Sequence, residues 1–141
     1  MSELIRFGIS IDSELLENFD TLIANRKYAN RSEAIRDLIR DELIRLKIET
    51  KKNVKTLGSL TLVYDHHAKN LAKEMGEIQH DFHKNILSVM HLHVSHDDCM
   101  EIIALSGFAE EIVKLSNMLL CLKGIKHGKL FLTLPSSKIS A

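Results

Sequence analysis

The imidazoles of His91 and His93 and the thiol of Cys99 lie close together in the sequence, where they could reach one ion. If residues 86–94 form a strand, its two-residue period places His91 and His93 on the same face. The polar run 95–98 is suited to a chain reversal, which would bring Cys99 back beside the two histidines. Histidine and thiolate ligands suit zinc, copper(II) or nickel(II) far better than magnesium or calcium. The spacing therefore predicts a transition-metal site, which a further histidine from a helix or a second subunit could complete.

Other interpretations of the same residues compete with metal binding. The histidines could simply face solvent, and Cys99 could be a small buried hydrophobic residue. An enzyme would use Cys99 as a nucleophile with His91 or His93 as its base, but the sequence has no evident oxyanion loop or phosphate-binding glycine motif. The absence of a Cys-x-x-Cys pair counts against a purely structural zinc site. Spacing and ligand type together favour a metal-binding protein that is not an enzyme.

Composition limits the class of protein further. The 141 residues fit one ordinary domain or two small ones, and 19 basic residues balance 19 acidic ones, so any contact with nucleic acid must be local. No apolar run reaches the length of a membrane span, and no signal-peptide pattern begins the chain, so we expect a cytoplasmic protein without a membrane partner. The two cysteines are too few for a disulfide framework, and Cys121 is predicted to be inert core.

The pattern of the N-terminal residues predicts one strand followed by two helices. Residues 5–11 alternate strictly between apolar and polar, which predicts a strand with one apolar face. Asp12 or Ser13 then caps one amphipathic helix, and Ser32 can cap a second that runs to about Leu46. An isolated strand is unstable in water, so a second chain must supply its partner. This pattern predicts an intertwined ribbon-helix-helix dimer.

The polar face of such a ribbon fits the major groove of DNA, where arginine reads guanine and a hydroxyl reads either a donor or an acceptor. The free amides at the start of the second helix suit a phosphate. A helical dimerisation module without a DNA role is the alternative. The candidate DNA-binding residues are Arg6, Gly8, Ser10, Asn30, Arg31 and Ser32.

The rest of the chain predicts a second domain of a different kind. Its elements are a strand at 57–65, a helix at 67–79, strands at 85–94 and 99–105, a helix at 108–122 and a strand at 128–134. The order βαββαβ is the ferredoxin-like arrangement, which makes the whole chain an α+β protein. We therefore divide the chain into a DNA-binding domain at 1–46, a lysine-rich linker at 47–56 and a regulatory domain at 57–141.

The chain as a whole resembles the nickel-responsive transcriptional regulator (NikR) family over nearly its full length. After the ribbon-helix-helix pattern, the residues that carry the resemblance are Asn30-Arg31-Ser32-Glu33-Ala34-Ile35-Arg36, Tyr64-Asp65-His66, Ile78-Gln79-His80 and His91-x-His93-x5-Cys99. The resemblance implies that the C-terminal domain is of the ACT type and forms the core of a homotetramer, a dimer of dimers. It also implies binding of double-stranded operator DNA.

The resemblance further implies a square-planar Ni²⁺ site between two subunits, with His91, His93 and Cys99 from one and His80 from its neighbour. Many family members have a hydroxyl where this chain has Gly8, so base readout there is in question. Glu33 and Asp37 match carboxylates that help to hold a potassium ion between the domains. Secondary metal ligands are predicted at His66, His67 and His83. A regulator that senses copper, cobalt or a small molecule such as an amino acid is the alternative.

Overall fold

The computed structural model describes residues 2–50 and 53–135. The chain divides into two compact units, Met1–Asp41 and Glu42–Ala141. Within the described part of the chain, no helix is both long and apolar enough to cross a membrane.

The first unit begins with residues 2–12, which form no strand within the single chain. The predicted apolar face of this segment is uncovered, with Ile5, Phe7 and Ile9 between 63% and 80% exposed. A strand needs a neighbour to satisfy its backbone hydrogen bonds, and none of the described residues of the same chain pairs with this segment. The ribbon therefore remains a prediction about two chains.

Helix α1, Ser13–Asn25, starts where the sequence predicts it. The side chain of Asp12 accepts a hydrogen bond from the backbone N–H of Leu15 at 2.9 Å, as an N-cap residue does. Ile23 is the buried residue of this helix.

Helix α2, Arg31–Thr50, differs from the prediction at both ends. Its cap is Asn30, whose side-chain oxygen accepts from the N–H of Glu33 at 2.9 Å, so the assignment of the cap to Ser32 was wrong. The helix also extends past the predicted end at Leu46 into the residues assigned to the linker. Lysine and glutamate at those positions are good helix formers, which allows the helix to continue.

The second unit contains the predicted βαββαβ order. Its elements are β1 Lys55–Asp65, α3 Leu71–Asp81, β2 Ile86–His93, β3 Asp98–Phe108, α4 Ala109–Leu120 and β4 Ile125–Thr133. All neighbouring strands pair antiparallel, in the order β2-β3-β1-β4. This is the four-stranded sheet of a ferredoxin-like, ACT-type domain, and the predicted fold class is confirmed.

The two faces of this sheet are unlike. Strand β3 alternates residue by residue, and its buried positions Cys99, Glu101, Ile103 and Leu105 face the helices. They belong to a core that includes Ile112, Leu115 and Leu119 of α4. The β3 side chains on the opposite face, such as Met100 and Ile102, are only partly buried.

Two smaller predictions also need correction. Cys121 is exposed at the end of α4, where its thiol donates to the carbonyl of Met118, so it is not core. Helix α3 begins at Leu71 rather than 67, because the residues before it form turns and Asn70 has a left-handed backbone with φ of 63°.

We expect Gly128→Ala to lower the free energy of unfolding by about 1–3 kcal/mol, since an added Cβ overpacks a closed site. That carbon would lie 2.9 Å from both the Thr61 carbonyl oxygen and a methyl group of Leu62, and it would also meet Leu120. Denaturant unfolding at fixed protein concentration measures the effect. Gly76→Ala is the control, since nothing lies within 4 Å of its added carbon and alanine favours a helix. Equal stabilities of the two variants would contradict the argument.

Candidate metal centre

The strand register places the predicted ligands in two adjacent rows on the helix-covered face. His93 pairs with Cys99, and Cys99 pairs with Tyr64 on its other side. In the next row, His91 pairs with Glu101. Residues that pair directly across antiparallel strands project to the same face, so all five side chains share one surface. The predicted reversal at 95–98 does bring Cys99 back beside the histidines.

The Cys99 thiol has two imidazoles beside it. The Nδ1 atom of His66 lies 3.2 Å from Sγ and that of His93 lies 3.6 Å from it. Cys99 is fully buried, whereas both histidines are exposed. Ligand atoms of these three residues lie within 4.8 Å of one another, which is close enough for one ion. The structure thus brings His93 and Cys99 together as predicted, but the third residue of this group is His66.

His91 stands next to this group with its Nδ1 atom turned toward other partners. That nitrogen lies 2.9 Å from the Tyr64 hydroxyl and 3.9 Å from Oε2 of Glu101. The ring centroids of His91 and His93 are 5.1 Å apart. Because Nδ1 is engaged, Nε2 is the nitrogen of His91 that is available to a metal.

The chemistry of these donors fits a transition metal. A buried thiol flanked by imidazole nitrogens becomes a thiolate when a metal displaces its proton, and a soft thiolate with imidazoles is a poor site for magnesium or calcium. The residues present could therefore hold nickel, copper or zinc.

His80, the predicted ligand from a neighbouring subunit, lies in the last turn of α3 and is exposed. Its ring stacks on that of His83 at 6.0 Å, and His83 Nδ1 contacts the His80 carbonyl oxygen at 3.0 Å. Among the residues that the structure describes, neither histidine belongs to a group of three close metal-ligand atoms. An exposed position at the end of a helix leaves His80 accessible to a second subunit.

A second group of ligand atoms contains His67, His96 and Asp97, all exposed. The ring centroids of His67 and His96 are 5.1 Å apart, and His67 Nε2 is 3.5 Å from a carboxylate oxygen of Asp97. The backbone N–H of His66 donates to the Asp97 carbonyl at 2.8 Å and joins the two loops. His67 was predicted as a secondary ligand, but the roles of His96 and Asp97 were not.

Three further residues near the site received no role from the sequence. Tyr64 and Glu101 are 7% exposed, and the carboxylate of Glu101 accepts from Tyr64 at 3.4 Å and from the Gln79 amide at 2.9 Å. Burial, followed by the nearby Glu101 and Cys99, raises the pKa of Tyr64 well above its usual value, so the phenol stays protonated. The alternation of β3 could have revealed Glu101, since it occupies a core position between Cys99 and Ile103.

The candidate DNA-binding residues all lie in the first unit. Arg6, Gly8 and Ser10 are exposed in the segment 2–12. The Arg31 guanidinium donates to both carboxylate oxygens of Asp20, at 2.9 and 2.8 Å. This hydrogen-bonded pairing lowers the pKa of Asp20. It also engages two of the guanidinium nitrogens of Arg31 as donors.

The candidate cation residues, Glu33 and Asp37, line one surface pocket of about 470 Å³. Asp37 already accepts a hydrogen bond from the Tyr28 hydroxyl at 2.9 Å and one from Arg40 at 3.2 Å. Arg36 also lines the pocket. A cation there would therefore compete with arginine side chains.

Two family models match the chain. The model described as the NikR C terminal nickel binding domain matches residues 57–133, and the model of ribbon-helix-helix proteins of the copG family matches residues 2–46.

Relatives match over almost the whole length. A protein of Syntrophus aciditrophicus described as a nickel-responsive regulator is 50% identical over 130 residues, which cover 92% of this chain and 93% of the relative. One of Solibacter usitatus, described in the same way, is 48% identical over 133 residues, covering 94% and 95%. Among solved structures, an uncharacterized protein from Thermotoga maritima matches 55% of this chain and 96% of its own with a TM-score of 0.51 and 22% identity, which shows the fold alone.

Proposed function

This chain belongs to the family of nickel-responsive regulators, and from that premise we propose that Ni²⁺ bound between its subunits switches on binding to operator DNA. The family consists of DNA-binding transcription regulators, not enzymes, and nickel is its metal. The proposal concerns the ligands, the assembly and the coupling between the two sites.

The observation that supports the metal site best is the buried thiol of Cys99 with an imidazole beside it. His91 and His93 follow each other on the same face of β2, with ring centroids 5.1 Å apart. We propose that these three residues bind nickel together with His80 of a neighbouring subunit. In the single chain His80 is exposed and apart from the cluster, as a ligand for another subunit would be.

The sheet face opposite the helices, which carries exposed apolar side chains, supports assembly of several copies. Leu57 and Phe131 are 37% and 65% exposed on this face, and Met90 and Leu92 of β2 are 56% and 36% exposed. A broad apolar surface of this kind marks an interface between proteins. We propose that it joins regulatory domains into a homotetramer, and that residues 5–11 of two chains pair into the DNA-binding ribbon.

The coupling follows from thermodynamic linkage. An ion that binds more tightly to the DNA-competent arrangement must raise the affinity for DNA by the same factor. We propose that residues 1–46 bind DNA, that 57–141 bind the metal and that 47–56 connect them.

A DNA-binding assay with each of several metals tests this function. The purified protein, stripped of metal, is mixed with a promoter fragment of a nickel-uptake or nickel-enzyme gene and with nickel, copper, cobalt or zinc at equal concentration. We expect nickel to give tight, sequence-specific binding. Copper binds such ligands at least as tightly as nickel, so a response to copper alone would favour a copper sensor. A response to an amino acid without metal would favour a small-molecule sensor.

The cluster of His67, His96 and Asp97 supports a secondary, weaker metal site, because two imidazoles and a carboxylate form a site for borderline ions. We expect wild-type protein to bind more than one nickel ion per chain at high metal concentration, and His96→Ala to lose only the weaker ion. Isothermal titration calorimetry measures both. His127→Ala is the control because His127 is exposed on β4 and lies outside this cluster. An unchanged stoichiometry in His96→Ala would contradict the site.

A further inference from the structure

Gly8 lies in the middle of the predicted ribbon strand, residues 5–11, between Arg6 and Ser10 on the polar face. Glycine weakens a strand, because it loses more backbone freedom on folding than any other residue and has no side chain to pack. A glycine at this position therefore needs a physical reason, which must lie in its backbone conformation, in the neighbouring side chains or in a binding partner.

Neither the backbone nor the packing of the single chain supplies that reason. Gly107 and Gly124 have positive φ angles of 145° and 105°, and an added Cβ at Gly128 would lie 2.9 Å from the Thr61 carbonyl oxygen. Gly8 has no positive φ, and nothing in the described part of the chain lies within 4 Å of its added Cβ. An alanine would therefore fit at this exposed position.

A second chain in the ribbon does not supply the reason either. Ile5, Phe7 and Ile9 are uncovered in the single chain and belong to the face opposite Gly8, so these are the side chains that pack beneath the ribbon of a dimer. An antiparallel pair of two identical 5–11 strands is symmetric about its centre. Gly8 then stands opposite the Gly8 of the second chain, which has no side chain that an added Cβ would meet.

The space beside the two glycines lies on the face that we assign to DNA. The major groove is about 12 Å wide and admits a two-stranded ribbon. A side chain at the centre of that ribbon would hold its backbone away from the base edges, whereas two glycines allow a close approach.

Ser10 makes a close approach necessary, because its hydroxyl lies only one carbon beyond the Cα atom. Such a short side chain reaches a base edge only from a backbone that lies deep in the groove. Arg6 is long enough to reach a base from further away. The two candidate base-reading side chains therefore differ in how strongly they depend on the residue between them.

We propose that Gly8 determines the specificity of DNA recognition, by letting the centre of the ribbon approach the base edges closely enough for Ser10 of each chain to contact a base. Gly8 is thus a positioning residue, since the contact itself belongs to Ser10. This inference rests on the proposed binding of operator DNA by residues 1–46.

Operator binding by nickel-loaded, full-length variants tests the inference. The probe is a promoter fragment of a nickel-uptake or nickel-enzyme gene, and unrelated DNA of the same length is the comparison. Gly8→Ala should weaken binding to the promoter fragment roughly 10- to 100-fold, and Gly8→Val should weaken it further, because a larger side chain holds the ribbon further out. Binding to unrelated DNA should change little, since phosphate contacts dominate it.

A double-mutant cycle tests the role of Ser10. Ser10→Ala alone should also weaken binding to the promoter fragment. Combined with Gly8→Ala, it should have little further effect, because the serine no longer reaches a base. Fully additive losses would mean that Ser10 contacts its base whether or not residue 8 is a glycine, and they would overturn the inference.

Controls separate the approach to DNA from damage to the protein. Alanine and valine weaken a strand less than glycine does, so the variants should fold and assemble as the wild type does, which circular dichroism and native mass spectrometry report. Nickel affinity should also be unchanged. Ser2→Ala alters a small exposed residue ahead of the predicted strand and should bind the promoter fragment like the wild type. If Gly8→Val does not assemble, Gly8→Ala decides.

The outcomes distinguish the two levels of proposal. A nickel-loaded wild type that binds the promoter fragment no better than unrelated DNA overturns the proposed function, and the inference with it. A wild type that prefers the promoter fragment, together with a Gly8→Ala protein that binds this fragment equally or more tightly, overturns only the inference.

Discussion

Cys99→Ala will abolish high-affinity nickel binding and nickel-dependent DNA binding, while the protein stays folded and assembled. The thiolate is the softest ligand in the cluster, and its removal leaves only imidazoles around a buried methyl group. The absorption band that arises from charge transfer between thiolate and nickel disappears with it. Metal titration monitored by absorption, together with a DNA-binding assay with and without nickel, measures the loss.

Cys121→Ala is the matched control, since this second cysteine is exposed and lies outside the close ligand groups that the described residues form. It should bind nickel and DNA as the wild type does. A Cys99→Ala protein that keeps both the absorption band and nickel-stimulated DNA binding would place the site elsewhere.

His80→Ala should cause the same loss, because it removes the side chain that we propose as the fourth ligand of a neighbouring subunit's site. The two defects should complement each other in mixed assemblies. A Cys99→Ala subunit still contributes His80, and a His80→Ala subunit still contains Cys99. The interface between two such subunits would therefore hold one complete site. Restored nickel binding on mixing and reassembly would support a site between subunits. A mixture as inactive as its parents would contradict it.

Arg6→Ala will remove sequence-specific DNA binding and leave nickel affinity and oligomeric state unchanged. Arg6 is the long basic side chain on the polar face of the predicted ribbon, and a bidentate contact from arginine to guanine contributes on the order of 1–3 kcal/mol. Its loss should weaken operator binding roughly 10- to 100-fold for each contact. Binding assays with operator and unrelated DNA over a series of salt concentrations measure this effect.

Arg6→Lys separates charge from base recognition. Lysine keeps the positive charge but lacks the planar, bidentate guanidinium. We therefore expect it to retain the salt dependence that phosphate contacts produce and to lose preference for the operator. If Arg6→Ala protects its operator at wild-type concentrations, base recognition by this residue is excluded.

The local periodicity of the sequence determined the order of the secondary-structure elements and the sheet face to which His91 and His93 project. The two-residue period of strand β2 put His91 and His93 on one face, and the polar run after it returned Cys99 to their side. The order of strands and helices followed in the same way, because each element has its own period and its own turns. Element ends were less predictable: Asn30 replaced Ser32 as the cap of α2, since the choice among neighbouring polar residues depends on the exact path of the chain.

Only the tertiary structure decided which groups surround each ligand. His66 and Cys99 are far apart in sequence, and they meet because β1 and β3 pair in a particular register. The same register brings the Tyr64 hydroxyl to His91 and puts Glu101 between Tyr64 and Gln79. Spacing along one strand fixes only the face to which a side chain projects. Contacts between strands depend on their register, which the packing of the whole core selects.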